Sequence, residues 1–144
     1  MTPDQLKTRT KKFAVDIIQF VRTIPRDPIN DEIASQLTDA ATSTAAHYRA
    51  VCRAKSRADF INKLSGGIEE VDESALWLEI LTDSGICASS KTNRLWKEAD
   101  ELTRIFVRSR ETARAKQQAA KRRNQQSGIN NQQRIKNQKS PIKD

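Results

Sequence analysis

Leu6, Thr10, Phe13, Ile17, Phe20 and Ile24 recur at alternating steps of four and three, with Ala14 and Val21 widening the stripe. That spacing predicts a helix packing through one face. Thr2 can cap it, with Pro3 at its first position and Asp4 in its first turn. Pro25 to Pro28 ends it, and Asp27 then caps a second helix that begins at Pro28. The second stripe runs Ile33, Leu37, Ala40/Ala41, Thr44/Ala45, Tyr48 and Val51/Cys52; its small middle suits close helix packing. Ser56-Arg57-Ala58-Asp59 resembles a capping box and restarts the chain as a third helix. Phe60/Ile61, Leu64, Ile68, Val71, Ala75, Leu78 and Leu81 form its stripe, and Trp77 lies at the edge. The pair Gly66-Gly67 falls inside it and calls for a kink or a close helix contact, since each glycine costs about 1 kcal/mol against alanine.

Gly85 suits the end of the third helix, and Ser89 or Ser90 can cap the fourth. Its stripe is Leu95, Ala99, Leu102, Ile105/Phe106, Ser109 and Ala113. Beyond Val107 the apolar positions shrink to alanine, and helical propensity lasts to about Asn124. Nothing alternates with period two long enough to suggest a sheet. The expectation is an all-α, antiparallel up-down-up-down four-helix bundle over residues 1–124. Residues 125–144, rich in Gln, Asn, Lys and Ser, are expected to form a disordered basic tail.

Composition agrees with a thin helical core: 36% apolar, 31% charged and 5% aromatic. At 144 residues the chain is one domain. Charge changes the picture more. Of 26 basic and 18 acidic residues, eleven and two fall between Arg108 and Asp144, which leaves 15 and 16 in the other 107 residues. A near-neutral trunk therefore carries a cationic extension suited to a polyanion. Its candidate phosphate-binding residues are Arg108, Arg110, Arg114, Lys116, Lys121, Arg122 and Arg123. Arg49, Arg53, Lys55 and Arg57 form a second basic cluster at the end of the second helix, which either complements the helix dipole or contacts phosphate. The extension holds no aromatic residue, so bases cannot stack on it.

Catalytic chemistry finds little support. His47 is the single histidine and has no nucleophile motif or second ligand, so a structural or interface role is expected, with a pH-sensitive or ligand role as the alternative. Glu69, Glu70, Asp72, Glu73 and Glu79 read as a solvated acidic face or as inter-subunit ion pairs, because the Glu-x-x-His of di-metal bundles is missing. Asp59 is a candidate partner for Arg49, Arg53 or Arg57. Cys52 and Cys87 read as free thiols in a reducing compartment. No cofactor or metal site is expected. No apolar stretch nears the roughly 20 residues needed to span a bilayer, and no leader is visible at Met1 to Asp4, so the expectation is a cytoplasmic protein without membrane contact.

Several of these residues stand in an order that resembles a known family. They are Gln36-Leu37, the small stretch around Ser43, Ala46-His47-Tyr48-Arg49-Ala50, then Ser56, Asp59, Phe60, Lys63 and Leu64, then Glu70, Glu73, Trp77 and Leu78. The series resembles the 23S rRNA-intervening-sequence proteins, whose relatives include the accessory variability determinant of diversity-generating retroelements. His47 stands where that family has Asn, and Ala50 where it has Glu. The resemblance implies a four-helix bundle forming a homo-oligomeric ring, commonly a pentamer. It implies a non-catalytic role in binding nucleic acid, RNA or RNA–DNA hybrid. The alternative it implies is a scaffold or accessory subunit for a reverse transcriptase of such a retroelement.

Overall fold

The computed structural model describes residues 1–139, and the part of the expected tail at 140–144 lies outside them. Four helices follow one another: α1 (Pro3–Val21), α2 (Pro28–Val51), α3 (Arg57–Asp83) and α4 (Ser89–Gln138). There is no strand among the described residues.

Local chemistry sets most of the boundaries. Thr2 and Gln5 form a reciprocal capping box at the start of α1. Asp27 accepts from the backbone N–H groups of Ile29 and Asn30, and Pro28 opens α2. Ser56 Oγ accepts from the Asp59 N–H at 3.0 Å. The Asp59 carboxylate accepts from the Lys55 N–H at 3.0 Å, so the reciprocal bond of this cap reaches one residue further back. Gly85, at φ +78°, takes the left-handed position that ends α3. The expected serine cap of α4 is not found: Ala88 holds that position, with no side-chain hydrogen bond.

The turns at 22–27, 52–56 and 84–88 are short, and contacts between helices show their sense. Thr82 meets Thr92 and Ser65 meets Arg110, so α3 and α4 are antiparallel. Arg9 meets Glu98 and Asp16 meets Arg94, so α1 and α4 are antiparallel too. Each helix packs on its two neighbours, and across one diagonal Tyr48 of α2 stacks on Phe106 of α4. The square is the up-down-up-down bundle expected from the four stripes. Its α1–α4 edge is the thinnest, and Arg9 braces it with Nη2 at 2.7 Å from Glu98 and 3.1 Å from Glu101.

Phe13, Ile17, Leu37, Leu64, Leu78, Leu81, Leu102 and Phe106 are fully buried in the core. Each contributes on the order of 1.5–3 kcal/mol relative to exposure. The buried hydroxyls are satisfied within the bundle. Thr44 donates to the Ala40 carbonyl, Ser74 donates to the Glu70 carbonyl, and Thr82 and Thr92 share a bond of 2.7 Å. Cys52, placed on the stripe by its spacing, is exposed because α2 ends at Val51.

The glycine pair makes the close contact its sequence position called for. A Cβ on Gly66 would lie 2.9 Å from His47 Cδ2, and one on Gly67 would lie 3.4 Å from the Phe106 ring. α2 and α4 therefore both press on α3 at this level.

The last helix is longer than its sequence suggested. It runs on past Asn124 to Gln138, although every residue from Lys121 to Lys139 is exposed. No proline interrupts this stretch, Gly128 is its only glycine, and Gln, Lys and Arg are good helix formers. It buries nothing, so its own backbone hydrogen bonds hold it, with local side-chain contacts such as Gln126 Nε2 donating to Asn130 Oδ1 at 2.9 Å.

Candidate nucleic-acid interface

The two basic clusters of the sequence come together in space. The turn after α2, the start of α1 and the part of α4 from Arg108 to Lys116 enclose an open groove of about 880 Å³. Lys55 and Arg57 stand on one side of it, and Arg108 and Lys116 on the other. None of the residues lining it carries a carboxylate, and none of these four cations is ion-paired to a carboxylate among the described residues. The helical repeat explains the pairing on α4: positions 108, 112 and 116 are successive steps of four and share one face.

Apolar side chains form the floor. Val51, Phe60 and Ala113 line it with Tyr48, whose ring stacks on Phe106 at a centroid distance of 5.5 Å and an interplanar angle of 13°. Burial, with a lesser contribution from neighbouring Cys52, pushes the Tyr48 phenol well above its ordinary value and keeps it neutral. The turn itself is rigidly held. Asp59 accepts from the Lys55 N–H and from Lys63 Nζ at 2.8 Å, and these bonds hold its carboxyl below the usual range. Asp59 therefore pairs with Lys63, and not with Arg49, Arg53 or Arg57 as its position suggested.

The other candidate cations divide by helix face. Arg110 points away from the groove, donates to Ser65 Oγ at 3.2 Å and is only 22% exposed. Arg114 lies 3.4 Å from Glu111. Both are engaged within the chain. Lys121, Arg122 and Arg123 are exposed on the projecting helix and make no ion pair with the trunk among the described residues. Arg53 is exposed in the turn but does not line the groove. Arg49 faces a separate shallow groove of about 330 Å³ with Lys7 and Lys11 of α1. The sequence reading missed those two lysines. Their spacing of four marks one helix face, but only the packing of α1 on α2 sets that face beside Arg49.

His47 is occupied structurally. Its Nδ1 lies 2.8 Å from the Ser43 carbonyl, and its ring covers Gly66. On α3, Glu70 is half-buried, and burial, followed by the charge of Glu73, pushes its carboxyl upward. Trp77 packs against the core with its Nε1 donating to Glu73 at 3.2 Å. Cys52 and Cys87 are both free. Among the described residues no three His, Cys, Asp or Glu side chains gather as a metal site would need, and no helix is long and apolar enough to cross a membrane.

Known proteins supply a frame for this geometry. No curated protein matches the chain. Among solved structures it is similar to a protein of unknown function from the S23 ribosomal protein family of Bacteroides thetaiotaomicron VPI-5482. The two are 25% identical, with a TM-score of 0.68, over 77% of this chain and 99% of that one. Residues 5–108 match the family described as 23S rRNA-intervening sequence protein. The match closes at Arg108, so most of the groove's α4 wall and all of the projecting helix lie beyond it. With well over half of its length matched, the chain belongs to the 23S rRNA-intervening sequence protein family.

Proposed function

We propose that this protein binds the phosphate backbone of nucleic acid, RNA or RNA–DNA hybrid, without catalysing a reaction on it. One observation carries the reading. Lys55, Arg57, Arg108 and Lys116 converge on one groove with no carboxylate among its lining residues, and α4 extends their charge outward through Lys121, Arg122 and Arg123. Such a surface gains by releasing counterions from a polyanion, and the gain is largely independent of sequence. The N-termini of α1 and α3 open at the same end, where their dipoles favour negative charge. The homo-oligomer that the family resemblance implies, a pentamer, would multiply these cations. Val15 at 43% and Leu76 at 49% exposure are apolar positions on the trunk open to a second copy. A cytoplasmic setting accords with the two free thiols.

A salt series on RNA and duplex DNA tests the reading. Three chains are compared: the full one, one stopped after Gln117, and the fourfold variant K55Q/R57Q/R108Q/K116Q. Each cation lost from a duplex contact lowers the salt slope by roughly 0.9, so the fourfold variant loses about 3 to 4. The shortened chain keeps the groove and loses the charge of the projecting helix. If the full chain and the fourfold variant show equal affinity and slope, the groove does not bind phosphate.

A further inference from the structure

We propose that the groove between the α2–α3 turn and α4 accepts a single unpaired nucleotide, with its base on the apolar floor and its flanking phosphates on the cationic rim. The inference rests on the nucleic-acid reading above and narrows it to one feature of the strand.

This groove differs from the rest of the cationic surface. The projecting helix offers charge and two isolated isoleucines, Ile129 and Ile135, but no aromatic residue and no enclosed surface. A phosphate backbone needs no more than the charge. The groove offers charge at its edges and apolar surface beneath them. A paired duplex shows only sugars and phosphates along its backbone, and it would rest on the rim and leave the floor unfilled. An unpaired base is a flat, mostly apolar plate tethered between two phosphates. Its shape and its charge pattern fit a floor with a basic rim. The volume of about 880 Å³ lies within the range of organic-ligand sites, roughly 300–1,000 Å³.

The floor is also preorganised. Tyr48 is sealed beneath it by its stack on Phe106, which leaves half-buried Phe60 as the aromatic surface a base can reach. Ser109 lines the wall, and its hydroxyl has no hydrogen-bond partner among the described residues, so it is available to a base edge. Cys52, exposed at the rim, supplies a reporter thiol.

The test uses the full chain and three RNA duplexes of equal length: one blunt, one with a single bulged uridine, and one with an abasic bulge. The bulged uridine is expected to bind about tenfold tighter than the other two, the gain of one stacked base. It is also expected to slow alkylation of Cys52 by a maleimide and to leave Cys87 unaffected. T112W, at an exposed wall position, fills the groove and removes the preference, while the salt slope on blunt duplex stays unchanged. F60L takes away the aromatic face, keeps the apolar volume and weakens the preference. Equal binding of all three duplexes overturns the inference and leaves the nucleic-acid reading standing, as does a preference that survives T112W. Absence of salt-dependent binding to every RNA overturns both.

Discussion

Gly66→Ala should destabilise this protein even though it replaces a glycine in the middle of a helix. The intrinsic effect favours alanine by about 1 kcal/mol. At this position the new Cβ would come within 2.9 Å of His47 Cδ2 and 3.0 Å of Nε2, closer than carbon side chains approach. The imidazole has to swing away. Doing so stretches its 2.8 Å bond to the Ser43 carbonyl, a loss of about 1 kcal/mol, and forces the ring off its rotamer at about 0.5–1.5 kcal/mol. The net is a loss of roughly 1 kcal/mol. In a His47→Ala background the obstacle is gone, and the same substitution should stabilise by about 1 kcal/mol. The coupling between the two sites is therefore about 2 kcal/mol. Urea unfolding of the wild type, both single variants and the double variant measures it, given a common m-value. Additivity within about 0.5 kcal/mol would refute the contact as the reason for the glycine.

Other expectations follow from single contacts. Tyr48 keeps its proton in the folded state above the pH at which the unfolded chain loses it, so stability should fall as pH rises past about 10. The slope approaches 1.4 kcal/mol per pH unit, and Tyr48→Phe, followed by alkaline thermal melts, should remove that component. Burial raises the Glu70 carboxyl, so its charge opposes folding at neutral pH and that penalty fades as pH falls through the carboxylate range. Glu70→Gln should then raise Tm at pH 7 and match the wild type below about pH 4. Arg9→Met should cost about 1–2 kcal/mol by urea unfolding, because it removes the charged bonds to Glu98 and Glu101 across the thinnest helix pair. Amide exchange from Lys121 to Gln138 should be fast beside that of Leu95 to Phe106, because the projecting turns bury no side chain.

Features that depend on neighbours a few residues apart can be read directly from the order of residues. The caps at Thr2, Asp27 and Ser56 are local hydrogen bonds, and the four apolar stripes follow from a period of 3.6, so helices, core and bundle were all legible. Features that depend on register between helices come from how the helices pack. Packing set His47 of α2 over Gly66 of α3 and stacked Tyr48 on Phe106. It sorted the cations by direction, turning Arg110 toward Ser65 while bringing Arg108 and Lys116 opposite Lys55 and Arg57. Those two pairs lie more than fifty residues apart, and their meeting is set by the antiparallel turn at 84–88 and the lengths of α3 and α4 on either side of it. A charge count along the chain records how many cations there are, whereas a shared site requires the packing that orients them.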